Sequence, residues 1–297
     1  MQNKSILILT SGYTGYYVIE RIVESKLKIN PFIGSTKPVN INKNKANIFD
    51  FEKQFQIYDI PNTTYDNSSN ILPDVDIIIC IDWKKDYFKD LKPNSIILHC
   101  HPSLLPKYRG YGAISEQFTR GVVFSGLSIY IDNGIIDSGD IVYQESIKIE
   151  NYHKPIDFIK NCSNSIFNFI KNMDEYIAKD PTPQNNSKAF YLPKLRKSNR
   201  IIDFNASAYF IYNFIRAFQE PYSYVSFFYQ DREYLIKEAS IESWSGLDGQ
   251  PGEIIEINNY GIIVACGEGT ILIKEIVYNN KIIYPDSLNL NIGVILH

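Results

Sequence analysis

Short apolar runs, separated by polar or glycine-containing stretches, mark out the first part of the chain. Continuous runs of this kind are typical of parallel strands that are buried on both faces of a sheet. They occupy 5–10, 31–35, 74–81 and 95–100. A glycine-containing turn follows the first run, and apolar residues at helical spacing then predict a helix over 16–25. Strand, turn and helix in this order predict an α/β fold with a mostly parallel sheet.

The pattern changes after residue 115. A short helix is predicted first, followed by a strand over 127–131. The alternation of apolar and polar residues over 140–149 is typical of a half-exposed antiparallel strand. Residues 155–177 have apolar positions at helical spacing and predict a long helix packed on the sheet. Pro, Asn and Lys are then frequent over 178–200, where no periodicity remains, and this stretch is interpreted as a connecting segment.

A second set of elements follows the connecting segment. Helical spacing predicts a helix over 206–218, and short strands alternate with glycine-containing turns after it. The predicted strands are 223–229, 233–241, 252–257, 261–267 and 270–277. Several short strands of this kind favour a small β-barrel. The sequence therefore predicts an N-terminal domain over 1–180, a linker over 181–200 and a β-barrel domain over 201–297.

The net charge of the chain indicates which classes of partner it can bind. Lys and Arg number 30 and Asp and Glu 33 among 297 residues, a formal net charge of −3. Residues 201–297 carry five basic and twelve acidic side chains, a formal −7, and such a surface repels phosphates. Two short basic stretches, 37–45 and 194–200, are interpreted as solvated loops. The charge therefore disfavours nucleic acid as a partner.

Cysteine usage and hydropathy indicate the compartment. The four cysteines have no CxxC spacing, which disfavours a disulfide scaffold or a structural zinc site. No apolar stretch approaches the length of a membrane span. These features predict a cytoplasmic protein without a membrane partner.

The densest polar segment, 99–110, directly follows the strand over 95–100. Catalytic groups of open α/β sheets lie beyond the carboxyl ends of the strands, so this position suits an active site. A second segment, 135–142, lies at another strand edge and contains Asp137. A histidine oriented by a carboxylate is the commonest general-base arrangement, which makes His101 and Asp137 the candidate pair.

Other interpretations remain open at these residues. Cys100 alternates with its two histidine neighbours, so on a strand its side chain points to the opposite face, and we expect a buried thiol with the nucleophile supplied by the substrate. His99, His101 and Asp137 could instead ligate zinc, although we predict no metal. The turn at 11–15 either binds an anion at a helix N-terminus or is a plain strand-to-helix turn, which we favour.

Two motifs, HPSLLPKYRG at 101–110 and IDSGDIV at 136–142, resemble those of the folate-dependent formyltransferases. The likeness continues at 215–222, 251–254 and 265–269, which resemble the C-terminal domain shared by the tRNA and sugar enzymes of that family. The resemblance implies a Rossmann-like domain that binds N10-formyltetrahydrofolate, followed by an OB-like barrel. It implies an enzyme that transfers the formyl group to the amine of an acceptor.

The resemblance also implies roles for individual residues. His101 would assist removal of a proton from the acceptor amine, and Asp137 would orient His101. The implied folate contacts are Ser103, Leu104, Leu105, Pro106, Ile136, Gly139 and Trp83. For Trp83, packing in the core is an equal alternative.

The chain departs from the family pattern at His99, where the resemblance places an asparagine that donates a hydrogen bond to the developing oxyanion. Such a donor contributes on the order of 3–4 kcal/mol in the best measured cases. Three interpretations of His99 are open. It replaces the asparagine as hydrogen-bond donor, it shifts the position of the substrate and slows turnover, or it indicates a protein that binds folate or nucleotide without catalysis. Intact His101 and Asp137 favour the first interpretation.

The resemblance leaves three acceptors: a nucleotide-linked amino sugar, an initiator tRNA and a small ribonucleotide. A second domain disfavours the ribonucleotide enzyme, which resembles only the first domain. The charge of 201–297 and the absence of an Ala-Ala-Pro run after residue 111 disfavour tRNA. We therefore predict a nucleoside-diphosphate-linked 4-amino sugar as the acceptor, and the resemblance implies a homodimer.

The residues after the predicted folate loop are predicted acceptor contacts. They are Tyr108, Arg109, Gly110 and Tyr111. Arginine suits bidentate pairing with phosphate. For Tyr108 and Arg109, anchoring of the loop is an equal alternative.

Overall fold

The computed structural model describes residues 4–10, 12–25, 75–83, 95–194, 196, 200–242, 249–288 and 290–297, and the backbone of 32–36 and 62–65. The predicted basic loop at 37–45 lies outside these residues, and that at 194–200 lies partly outside. The chain separates into two compact units. The first contains 1–110, 124–150 and 157–192, and the second contains 111–123, 151–156 and 193–297.

The first unit is built on a seven-stranded sheet, beside which two short strands form a separate pair. The strands of this unit are β1 (Ile6–Thr10), β2 (Phe32–Thr36), β3 (Asn62–Tyr65), β4 (Ile77–Ile81), β5 (Ile96–His101), β6 (Arg109–Gly110), β7 (Phe124–Ile131), β8 (Ile141–Lys148) and β9 (Tyr191–Leu192). The sheet has the order β3-β2-β1-β4-β5-β7-β8. Neighbours from β3 to β5 run parallel, and β7 and β8 add an antiparallel edge. The predicted α/β fold with a mostly parallel sheet is confirmed.

Besides two 3-10 helices at Asn186–Lys188 and Pro285–Leu288, the described α-helices follow the predicted order with one interruption. They are α1 (Tyr13–Glu24), α2 (Ala113–Thr119), α3 (Pro155–Lys171), α4 (Met173–Ile177) and α5 (Ala208–Ala217). The prediction of one helix over 155–177 was wrong at Asn172, where φ is −114° and ψ is 21°. Nδ2 of Asn172 donates to the Asn168 carbonyl at 2.9 Å, beside the Asn172 backbone N–H at 3.2 Å, and asparagine favours such local bonds at helix ends over a helix interior.

The second unit contains an antiparallel sheet, as the short strands predicted. Its strands are β10 (Val225–Tyr229), β11 (Arg232–Glu242), β12 (Ile254–Asn258), β13 (Gly261–Ala265), β14 (Thr270–Tyr278) and β15 (Lys281–Ile283). The order is β10-β11-β14-β13-β12, with β15 paired to β14.

Backbone hydrogen bonds from the C-terminal residues connect the outer strands of this sheet. The Leu296 N–H donates to the Gly252 carbonyl, just before β12, at 2.8 Å. The His297 N–H donates to the Phe228 carbonyl on β10 at 3.0 Å. The last residues therefore close the path from β12 back to β10, as a barrel requires.

Part of the predicted linker over 181–200 is held by the first unit. Thr182 and Ile141 exchange two backbone hydrogen bonds of 2.8 Å, and β9 pairs in parallel with β6. Residues 182–192 therefore belong to the first unit. None of the helices in the described ranges is long and apolar enough to cross a membrane.

Candidate active site

His99 and His101 lie on one face of β5, at its carboxyl end. In the antiparallel pairing of β5 with β7, His99 is opposite Tyr130 and His101 is opposite Ser128. Opposed residues of an antiparallel pair share a face. The two histidines therefore meet side chains of β7 at the edge where catalytic groups of α/β sheets gather.

Cys100 lies opposite Ile129, on the other face of the sheet from the two histidines. Desolvation, with the Asp82 carboxylate nearby, raises the pKa of the Cys100 thiol well above its ordinary value. Because the thiolate is the nucleophilic form, this position does not suit a nucleophile.

Both ring nitrogens of His101 face polar atoms. Nε2 lies 2.8 Å from the Tyr108 carbonyl oxygen, and because a carbonyl only accepts, Nε2 carries the hydrogen of this bond. Nδ1 lies 3.5 Å from Oδ2 of Asp137. His101 is 6% exposed and Asp137 is 8% exposed. The two residues predicted to form a general-base pair are therefore adjacent and buried, and Nδ1 is the nitrogen whose lone pair can take a proton.

Asp137 is held at both carboxylate oxygens. Oδ2 accepts a hydrogen bond of 2.7 Å from the Gly110 N–H, and Oδ1 accepts one of 2.7 Å from the Tyr130 hydroxyl. Its φ is 52°, a conformation that residues other than glycine rarely adopt. Charge-assisted bonds of this kind offset the cost of burying an ionised carboxylate.

Tyr130 is a site residue that sequence reasoning missed. It is 2% exposed, and its ring stacks on that of His99 with 5.4 Å between centroids. Burial, together with the Asp137 charge, raises the pKa of Tyr130 well above its ordinary value, so the phenol keeps the proton that it donates to Asp137. Its place in the site depends on the register of β5 with β7, which no local motif specifies.

His99 sits between an aromatic ring and a second carboxylate. It is 8% exposed, and its Nε2 lies 3.7 Å from Oδ1 of Asp132. That distance is too long for a hydrogen bond but close enough for an electrostatic contact. His99 shares a face with His101, and its role as a replacement donor stays a prediction.

The predicted folate loop, 103–106, is fixed from β7 and β8. The Ser128 hydroxyl donates to the Ser103 carbonyl at 2.6 Å and accepts from the Leu105 N–H at 3.0 Å. Gln144 Nε2 donates to the Ser128 hydroxyl at 2.8 Å and to the Leu105 carbonyl at 3.1 Å. Ser103 and Leu105 are buried, whereas the other two residues of the loop are half-buried and can contact a ligand.

The segment around Asp137 presents apolar side chains next to the buried carboxylate. Ile135 is 59% exposed and Ile136 is 40% exposed. Gly139 passes so close to β7 that a Cβ there would lie 1.7 Å from the Ile131 carbonyl oxygen. Glycine is therefore required at 139 for the chain to turn back into β8.

Arg109 is built into the fold. It is 2% exposed. The nearest partners of its guanidinium are Gln184 Oε1 at 2.7 Å, Asn186 Oδ1 at 2.9 Å and the Tyr191 hydroxyl at 3.1 Å. This placement favours the loop-anchor alternative over the predicted contact with an acceptor phosphate.

The remaining predicted contacts have different surroundings. The Tyr108 ring packs edge-on against Phe190, with 4.7 Å between centroids. Gly110 uses its N–H in the bond to the carboxylate of Asp137. Tyr111 is 55% exposed and belongs to the second unit. Trp83 packs against a buried apolar cluster of the first unit, which favours its packing alternative.

The turn before α1 is occupied by a carboxylate of the chain itself. Asp82 follows β4, and its Oδ2 accepts a hydrogen bond of 2.9 Å from the Thr14 N–H. A Cβ at Gly12 would lie 2.4 Å from the same oxygen. Helix N-termini attract negative charge, and Asp82 supplies it here. The interpretation as a plain turn is therefore favoured.

The zinc alternative was also left open by the sequence. Within the part of the chain that the structure describes, no group of three or more His, Cys, Asp or Glu side chains is arranged to hold a metal ion.

Comparison with protein-family models matches residues 73–161 to the formyl transferase family and residues 194–290 to the formyl transferase C-terminal domain. The methionyl-tRNA formyltransferase of Borreliella burgdorferi is 32% identical over 220 residues, which are 71% of this chain and 70% of that protein. The matched ranges include His99, His101 and Asp137.

Two solved structures share the fold. The N-formyltransferase from Helicobacter canadensis, in complex with folinic acid and dTDP-3-aminofucose, has a TM-score of 0.65 at 17% identity over 91% of this chain and 99% of that one. HypX from Aquifex aeolicus, in complex with tetrahydrofolic acid, has a TM-score of 0.63 at 14% identity over 97% of this chain. The chain spans 47% of the length of HypX.

Proposed function

The chain belongs to the formyl transferase family, and we propose that it transfers the formyl group of N10-formyltetrahydrofolate to the amino group of a nucleoside-diphosphate-linked 4-amino sugar. The main support for formyl transfer is the buried pair of His101 and Asp137, in which Nδ1 of His101 lies 3.5 Å from Oδ2 of Asp137. A histidine held by a carboxylate suits the one proton that must leave an attacking amine.

The side chains around this pair fit a folate. Exposed Ile135 and Ile136 and the half-buried Leu104 offer apolar contacts beside polar, buried groups, which is the usual make-up of a small-molecule site. Residues 103–106 and Ile136 would hold the donor, and the Helicobacter relative of this fold binds folinic acid. When bound, the donor supplies a formyl carbon that is open to attack by an amine.

Proton transfer is assigned to His101. Because Nε2 is committed to the Tyr108 carbonyl, the acceptor amine gives its proton to Nδ1. Asp137 stabilises the imidazolium that results and keeps the ring in place. Nδ1 then returns the proton to the departing nitrogen of the donor. His99, on the same face, donates an N–H to the formyl oxygen as negative charge develops there.

The acceptor is proposed from charge. Among the cations of 201–297, Arg216 is 5% exposed and Lys237 pairs with Glu275 at 2.6 Å. Arg232, Lys274 and Lys281 are the three remaining cations, and they stand against eleven acidic groups besides Glu275. Neutralisation of several phosphates is what holds a protein on nucleic acid, and this balance supports a small nucleotide-linked acceptor instead.

Formylation of initiator methionyl-tRNA is the second candidate. It is favoured by the Borreliella relative, which bears that name at 32% identity. The basic stretches at 37–45 and 194–200 would serve it.

A single incubation distinguishes the candidates. The purified chain and N10-formyltetrahydrofolate are mixed with UDP-, dTDP- and GDP-linked 4-amino-4,6-dideoxy sugars, and in parallel with initiator methionyl-tRNA. Products are identified by mass spectrometry. An Asp137→Asn variant serves as the control and measures formyl transfer that does not depend on the pair of His101 and Asp137. We expect formylation of one sugar and none of the tRNA.

Each other outcome overturns part of the proposal. Formylation of the tRNA, with the steep salt dependence of phosphate binding, would replace the sugar by the second candidate. Folate binding by calorimetry without product on either acceptor would favour the interpretation of His99 as the mark of a binding protein.

A further inference from the structure

Gln184 joins the two motifs that form the site. It lies in the stretch that the sequence predicts as a linker. Its Oε1 accepts hydrogen bonds from Arg109 Nη2 at 2.7 Å and Nε at 3.2 Å. Its Nε2 donates to the carbonyl of Asp137 at 3.1 Å and to that of Gly139 at 2.7 Å. One carboxamide therefore bridges the loop after His101 and the segment that carries the catalytic carboxylate.

This bridge requires a carboxamide. The partners on one side are N–H donors of an arginine, and those on the other side are carbonyl acceptors. A glutamine side chain combines an acceptor oxygen with two N–H donors, whereas an ionised glutamate has acceptors only. The hydrogen-bonding capacity of Gln184 is thus matched to both groups.

The bridge bears directly on the geometry of Asp137. That residue has φ of 52°, a backbone conformation that persists only where surrounding contacts hold it. Oδ2 of Asp137 accepts from the N–H of Gly110, the residue after Arg109. Gln184 therefore fixes the chain on both sides of the hydrogen bond that aims the carboxylate.

We propose that Gln184 is a positioning residue for formyl transfer, which holds Asp137 beside Nδ1 of His101. The proposal rests on the function proposed above. The competing role is structural, in which Gln184 only anchors Arg109. Asn186 provides a matched control because its Oδ1 accepts from Arg109 Nη2 at 2.9 Å and none of its described bonds reaches Asp137.

Three variants separate these roles. Gln184→Ala removes the bridge, Gln184→Glu keeps acceptors for Arg109 but sets a carboxylate against the two carbonyls, and Asn186→Ala removes an anchor alone. We expect kcat to fall by about 10- to 100-fold in both Gln184 variants, the scale of misplacing a catalytic group by about 1 Å, with little change in KM. Asn186→Ala should keep the kcat of the wild type.

A double variant, Gln184→Ala with Asp137→Asn, tests whether the loss of kcat on changing Gln184 arises through Asp137. If Gln184 acts through Asp137, Gln184→Ala adds little further loss to Asp137→Asn, because effects through one group are not additive. Additive losses, or equal losses in Asn186→Ala and Gln184→Glu, would overturn the proposal. So would an unchanged kcat in the Gln184 variants.

A second measurement does not depend on turnover. The ring signals of His101 in an NMR spectrum, assigned by their absence in His101→Asn, report its contact with Asp137. They should shift in Gln184→Ala and stay in place in Asn186→Ala, and no shift in the former would overturn the proposal. If the wild type formylates no acceptor while these signals move as expected, the proposed function fails, but the positioning of Asp137 by Gln184 stands.

Discussion

Removal of the Tyr130 hydroxyl tests whether the carboxylate of Asp137 depends on its neighbours for catalysis. Tyr130→Phe keeps the ring that stacks on His99 and deletes the 2.7 Å hydrogen bond to Oδ1 of Asp137. The Gly110 N–H still donates to Oδ2. We expect slower formyl transfer, because one oxygen of the carboxylate loses its donor and the group is aimed less firmly at His101.

The expected size of the effect follows from the kind of bond that is lost. A hydrogen bond to a charged group contributes about 1.5–3 kcal/mol. If the whole contribution is realised in the transition state, kcat falls by about 10- to 150-fold. Tyr130 is 2% exposed, so water cannot readily take the place of the hydroxyl, and the upper part of this range is expected.

The assay compares Tyr130→Phe with Tyr143→Phe. The Tyr143 hydroxyl on β8 donates to Oε2 of Glu145 at 2.5 Å, so its removal breaks the same type of bond at a carboxylate that the mechanism does not use. Steady-state formyl transfer gives kcat and KM, and denaturant unfolding measures the stability of each variant. An unchanged kcat in Tyr130→Phe, or the same loss in both variants, would show that the Tyr130 hydroxyl does not aim the Asp137 carboxylate.

Other substitutions have defined outcomes. His101→Asn and Asp137→Asn should each lower kcat far more than they weaken substrate binding, measured by kinetics and calorimetry, if the pair transfers the proton as proposed; near-normal turnover in both would contradict this assignment. His99→Asn should retain substantial transfer, since an amide donates a hydrogen bond as an imidazole does; complete loss would show that the imidazole has an essential role of its own. Gly139→Ala should unfold at lower denaturant concentration, because its Cβ would lie 1.7 Å from the Ile131 carbonyl oxygen; an unchanged midpoint would show that the backbone relaxes there at no cost.

Features that arise from contiguous residues could be predicted. A strand with both faces buried needs apolar side chains at successive positions. β4 is buried at every residue, and its continuous apolar run therefore predicted a buried strand. His101 and Asp137 could be chosen as candidates because each lies in a contiguous motif next to a strand. The rule that functional groups gather beyond the carboxyl ends of parallel strands accounts for the place of His101. It does not account for Asp137, because β7 runs antiparallel to β5 with Ile131 opposite Leu98, so the chain leaves β7 away from the His101 end of β5.

Residues that reach the site through pairing or looping could not be predicted in the same way. Tyr130 depends on the register of β5 with β7, and a shift of one residue would turn its side chain to the other face. Gln184 lies in a stretch without periodicity, and its bonds to Asp137 and Gly139 span more than 40 residues of sequence. Asn172 lies between α3 and α4 with non-helical backbone angles, whereas the apolar pattern continues at helical spacing to residue 177.

Asp82 shows the opposite case, in which a local pattern suggests a site that the fold itself fills. A glycine-containing turn before a helix attracts anions, but residues 11–15 do not determine which anion takes the position. β4 is the parallel neighbour of β1, and Asp82 follows it with Oδ2 2.9 Å from the Thr14 N–H. A phosphate at this helix end would have to displace the Asp82 carboxyl group from the Thr14 N–H. The diphosphate of the proposed acceptor therefore requires donors elsewhere in the chain, and substitutions in this turn should alter stability rather than acceptor affinity.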